Sequence, residues 1–120
     1  MNADWNGLVA FLPTSDLEAT HIFYHQILGM PLHKDQGKCR IYQVGNDSYV
    51  GFCTHFPQSN TDGMIITLLT DEVDEKYKKL SAHSEITVES PPQKNEQFKI
   101  YHFYARDPNG YKVEIQKFLD

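Results

Sequence analysis

The chain has 120 residues, the length of one ordinary domain. A hydrophobic fraction of 40% and a charged fraction of 22% exclude a disordered or collagen-like chain. Sixteen acidic against eleven basic residues give a net charge of −5, with no Lys/Arg-rich run, which argues against a nucleic-acid or anionic-membrane surface.

The first apolar segment, Leu8-Val-Ala-Phe-Leu12 closed by Pro13, reads as a strand over 7–13. Ser15-Asp-Leu-Glu18 has the S-x-x-E form of a capping box. Behind it Leu17, Thr20, Phe23, Tyr24, Ile27 and Leu28 fall on one helical stripe, and Gly29 and Pro31 end it, so a helix is expected over 16–28. Short strands follow at 31–33, 39–44 and 48–53, with turn residues at Gln36-Gly37 and Gly45-Asn-Asp47. Residues 55–63 are polar and rich in breakers and read as a linker.

The order then repeats. Met64-Ile-Ile-Thr-Leu-Leu69 is an apolar strand, and Thr70 or Asp71 can cap the helix behind it. That helix is acidic at its start and basic at its end, matching the helix dipole, and buries Val73, Tyr77 and Leu80. Ile86-Thr-Val88, a polar loop over 90–97, a strand over 98–105, a turn at Asp107-Pro-Asn-Gly110 and a strand over 111–118 complete the chain. Each half is β-α-β-β-β, and shifting Val9 by 56 places it on Ile65 and Leu17 on Val73.

The opening residues carry no basic n-region and no long apolar stretch, and no apolar run approaches the roughly 20 residues that span a bilayer, so a cytoplasmic protein is expected. Cys39 and Cys53 lack CxxC spacing and are read as half-buried free thiols.

Ser15-Asp-Leu-Glu18, Phe23-Tyr24 with Leu28-Gly29, and above all Asp107-Pro-Asn-Gly-Tyr-Lys-Val-Glu114 resemble the vicinal oxygen chelate superfamily, which holds glyoxalases, extradiol dioxygenases and bleomycin-binding resistance proteins. The resemblance runs over nearly the whole chain. It implies an α+β fold in which two βαβββ modules, about 5–54 and 64–120, form a curved mixed sheet around a cleft, with helices on the outer face. It also makes a homodimer plausible, with Ile22 exposed on its helix as a candidate contact.

Metal-dependent members carry His, Glu or Gln ligands on matching strands. Here Glu114 matches such a ligand. The other three positions fall on Val9, on Ile65 (or Met64 if the register slips), and near Phe52 (or Cys53 if it slips). One surviving ligand does not hold a divalent ion, so no cofactor is expected and a divalent metal is disfavoured. The cleft is then expected to be lined by Val9, Phe11, Phe52, Ile65 and Thr67, an apolar wall of the kind a small-molecule site needs. His102 and Tyr104 share a face of their strand by the period of two, and the fosfomycin-resistance branch places a Tyr at the position of Tyr104 in the cleft. Glu114, enclosed by apolar residues, is expected to have a raised pKa suited to acid–base work. The HxxxH pair His21 and His25 has zinc-compatible spacing but lies on the solvent edge of its helix. Two functions follow. One is metal-free binding of a small organic molecule between the modules. The other is a glyoxalase-like lyase or isomerase with an altered site using Glu114.

Overall fold

The computed structural model describes residues 4–57 and 61–120. The chain divides into two compact units, one up to residue 59 and one from residue 60. The linker expected over 55–63 therefore lies partly outside the described residues. No described helix is long and apolar enough to cross a membrane.

The first unit contains β1 (Leu8–Pro13), α1 (Leu17–His21), β2 (Leu32–Asp35), β3 (Cys39–Gly45) and β4 (Ser48–Cys53). Its sheet has the order β1-β4-β3-β2, with β1 parallel to β4 and the other pairs antiparallel. The cap of α1 differs from the expected box. Asp16, not Ser15, accepts the Ala19 N–H at 3.0 Å, and its own N–H donates to Thr14 Oγ1. Glu18 is drawn instead to Arg40 at 2.7 Å, so it cannot reach back to close the box. The helix continues over Ile22–Ile27 with a wider, π-type winding, in which the Leu28 N–H reaches the Phe23 carbonyl. Gly29, at φ 77, ends it in the left-handed region, where a side chain would be strained.

The second unit repeats this plan: β5 (Ile65–Leu69), α2 (Val73–Ser81), β6 (Thr87–Val88), β7 (Gln93–Asn95), β8 (Ile100–Arg106) and β9 (Lys112–Phe118). Its sheet has the order β5-β9-β8-β6, again with the first pair parallel, and β7 also pairs with β8. The expected polar loop over 90–97 thus contains a short strand, because the amide groups of Gln93, Lys94 and Asn95 find partners opposite His102, Tyr101 and Ile100. Before α2, Thr70 Oγ1 accepts the Glu72 N–H at 3.0 Å.

One face of each sheet packs on its helix. In the first unit Tyr24 meets Phe52 at 4.6 Å between ring centroids, and Tyr42 lies 6.4 Å from both. In the second, Val73 and Leu80 are buried and Tyr77 stands edge-on to Phe103 at 5.4 Å. Phe52, expected from the sequence to line the cleft, therefore faces the helix instead. In β4 it stands opposite Leu12 and Arg40 and turns its ring to the helix, while Gly51 and Cys53 point to the other side.

Phe52→Ala should therefore act as a core truncation. It is expected to lower unfolding stability by about 3–5 kcal/mol in urea titrations, leaving ligand affinity of the surviving folded protein unchanged.

Candidate functional site

The site forms on the face of the second sheet opposite α2. Its frame is the turn between β8 and β9. The Asp107 carboxylate accepts the N–H groups of Asn109 at 2.9 Å and Tyr111 at 2.8 Å, and Gly110 takes φ 90 to close the turn. This turn sets β8 against β9 so that Tyr104 stands opposite Glu114 and His102 opposite Gln116. The parallel pairing of β5 adds Thr67 opposite Glu114 on the other side.

Glu114 is buried and bonded on both oxygens. Thr67 Oγ1 donates to Oε1 at 2.8 Å, and His102 Nδ1 donates to Oε2 at 2.7 Å. Burial pushes the carboxyl pKa up, but the hydrogen bonds from Thr67, Gln116 and His102, with the His102 charge, outweigh it and hold the group below its ordinary 4.5. The expected raised pKa is thus corrected: polar partners on three strand positions, invisible as partners in the sequence, favour the charged form. Tyr104 is shifted the other way, by burial first and then by the Glu114 charge. The Lys112 ammonium lies 4.2 Å from the centre of its ring. Arg106 pairs with Glu89 at 2.8 Å and so does not neutralise Glu114.

Beside this group lies an open cavity of about 420 Å³ lined by Asn95, Phe98, Ile100, His102, Tyr104, Glu114, Gln116 and Phe118. Of the residues singled out in the sequence, Thr67, His102, Tyr104 and Glu114 come together here. Ile65 is on the same face but further along β5, half exposed at 50%. Val9 and Phe11 belong to the first unit, where they stand opposite Tyr49 and Gly51 of β4. The sequence reading missed Ile100, Gln116 and Phe118, although counting by twos from His102 and Glu114 reaches all three. Asn95 and Phe98 had no such signal, because they depend on β7.

The two sheets can be superposed strand for strand. Phe11 pairs with Gly51 as Thr67 pairs with Glu114, so the counterpart of Glu114 is Gly51, and the Phe11 ring fills the space a side chain there would need. The positions that would complete a family metal set are then Val9, Ile65 and Gly51, none with a donor side chain. Among the described residues, the one group of three His, Cys, Asp or Glu side chains close enough to share an ion is Cys39, Cys53 and His55, which excludes Glu114. These residues do not fit the metal of the metal-dependent branches.

The cysteines are not free thiols. Cys39 and Cys53 form a disulfide, because the β3–β4 register places them directly opposite each other on one face. His21 and His25 stack at 4.6 Å, but His21 Nδ1 bonds Tyr42 Oη and His25 Nδ1 donates to the Met30 carbonyl, so neither is an idle surface ring.

If Glu114 is held as an anion by the fold, the sign of its contribution follows. A depressed folded pKa makes the ionised form stabilising above the unfolded value near 4.5, and that stabilisation is lost as pH falls through the lower folded value. The stability gap between wild type and Glu114→Gln is therefore expected to be full at neutral pH and to shrink below about pH 4.5 in denaturant titrations. A gap that is flat from neutral to acid pH would contradict the hydrogen-bonded carboxylate.

No curated protein matches the sequence. Solved structures do. A glyoxalase/bleomycin resistance protein/dioxygenase from Nocardioides has a TM-score of 0.76 at 19% identity, over 100% of this chain and 87% of that one. An integron cassette protein from the mobile metagenome of the Halifax Harbour sewage outfall has a TM-score of 0.77 at 20% identity, over 93% and 97%. A lactoylglutathione lyase from Agrobacterium tumefaciens has a TM-score of 0.73 at 22% identity, over 92% and 91%. At these identities the likeness shows the fold alone. The family model of the Glyoxalase/Bleomycin resistance protein/Dioxygenase superfamily matches residues 7–115, so this chain belongs to that superfamily.

Proposed function

We propose that the protein binds a small organic molecule, without a metal, in the cavity on the second sheet. The observation that carries this reading is the pairing of His102 with Glu114 at 2.7 Å against a wall of Phe98, Ile100 and Phe118. An apolar wall with a few fixed polar groups is what holds and orients a small ligand. With Nδ1–H donating to Glu114, the other ring nitrogen of His102 is left as an acceptor for a ligand N–H or O–H. Tyr104, Asn95 and Gln116 add neutral polar groups around it.

A second reading rests on the same pair. A carboxylate that fixes the tautomer of an imidazole makes that imidazole a general base. On this reading the protein is a glyoxalase-like lyase or isomerase in which His102 moves the proton and Glu114, kept ionised, positions it. The low pKa of Glu114 makes it a poor proton carrier near neutrality, which transfers the role first expected of it to its neighbour.

Native mass spectrometry of protein purified without chelator tests both. Binding predicts an organic adduct of small mass that is reduced at least about tenfold in Phe98→Ala or His102→Ala, each lost contact being worth 1.4 kcal/mol or more. Catalysis predicts turnover of a carbonyl or thiol-adduct substrate that falls by about 10²–10⁴ in His102→Ala. A metal that is retained by Cys53→Ser but lost from Glu114→Ala would overturn the metal-free reading.

A further inference from the structure

The first sheet carries a second cluster of chemically capable side chains. Cys39 and Cys53 are cross-strand neighbours in β3 and β4, and their Cα atoms are 4.1 Å apart. The Thr54 N–H donates to the Lys38 carbonyl, just outside the pair, so Cys39 and Cys53 occupy a non-hydrogen-bonded position, where opposed side chains approach most closely. His55, two residues beyond β4, is exposed and brings Nδ1 to 3.8 Å from the Cys39 sulfur. The three ligand atoms lie within 4.8 Å of one another. The internal repeat gives the place a meaning. Cys39 opposite Cys53 corresponds in the second sheet to His102 opposite Gln116, so both modules put side chains that can bind a ligand at one position of the fold.

We propose that Cys39, Cys53 and His55 form a redox-gated metal site, closed as the disulfide and able to hold a zinc ion when reduced. A dithiol reductant supplies the two electrons. It breaks the Cys39–Cys53 bond, becomes a disulfide itself, and passes its two protons to the cysteine sulfurs. Zinc then binds the two thiolates and the neutral His55 imidazole, and the two thiol protons leave to solvent. Two soft sulfurs and one imidazole are a donor set that zinc favours over magnesium, calcium or manganese. The exposure of His55 keeps the fourth position open to water or to an external ligand. This site is separate from the family's ligand positions, since the counterpart of Glu114 is Gly51 and not Cys53. It also lies in the other unit from the proposed ligand cavity, so either reading can fail without the other.

The test is zinc content after incubation with zinc and passage through a mild chelator, on the full chain with and without prior treatment with a dithiol. About one zinc per chain is expected in the reduced protein and almost none in the oxidised protein. His55→Ala, an exposed position whose loss leaves the core intact, should weaken retention in the reduced state by at least the tenfold that even an outer partner costs. Cobalt added in place of zinc should give thiolate-to-metal charge-transfer bands that vanish in Cys53→Ser. Equal zinc in both redox states, no zinc in the reduced protein, or unchanged retention in His55→Ala would each overturn the proposal.

Discussion

The register between β8 and β9 is the constraint on which the site depends, and Asp107 fixes it. Its carboxylate gathers two backbone N–H groups of the turn, and its own N–H donates to the Tyr111 carbonyl at 3.0 Å. A strand has a side-chain period of two, so a slip of one residue would exchange the faces of β9. Glu114 would then leave Thr67 and His102 for the helix side of the sheet, beside Tyr77 and Phe103, and Val113 would turn to the cavity. The cost of burying an unpaired carboxylate makes the observed register the stable one. The polar site and the apolar core are thus two consequences of a single turn.

Glu114 shows how an ionised group can be kept in a place that is mostly closed to water. Its desolvation is offset by donors from three different strands: Thr67 on β5, His102 on β8 and Gln116 on its own β9. Thr67 and His102 are brought in by strand pairing, and Gln116 by the two-residue period along β9. The same arrangement decides the division of labour within the pair. The carboxylate is committed as acceptor, and the imidazole beside it is the group left with a free nitrogen.

The internal repeat conserves topology and lets chemistry diverge. Both sheets have one parallel pair at the edge and the same strand order, and each helix starts four residues after its opening strand ends. Yet the position of Glu114 in one unit is Gly51 in the other, and the position of His102 and Gln116 is Cys39 and Cys53. The scaffold needs only the helix-side residues of the strands, Tyr42 and Phe52 in the first unit and Phe103, Val113 and Ile115 in the second, with Tyr24 and Tyr77 of the helices that pack on them. The opposite faces are free of that demand, so one could become a polar pocket and the other a cysteine pair.

The order of elements, the helix ends at Gly29, the acidic-to-basic course of α2 and the Asp107 turn were legible from local chemistry, because each depends on residues within a few positions of one another. The repeat and the family followed from that order. The facing of Phe52 was not legible. The counterpart of Glu114 must be counted across loops of unequal length, and one residue of error in a strand is the opposite face. The Cys39–Cys53 bridge was hidden for a related reason, since only the β3–β4 register sets those two side chains against each other. The direction of the Glu114 shift is not legible in the sequence, because its apolar neighbours are adjacent in the chain, whereas Thr67 and His102 lie 47 and 12 residues away. Which elements form, and in what order, is set locally by caps, turns and periodicity. Which side chains meet depends on strand register, and register is set by pairing between distant parts of the chain.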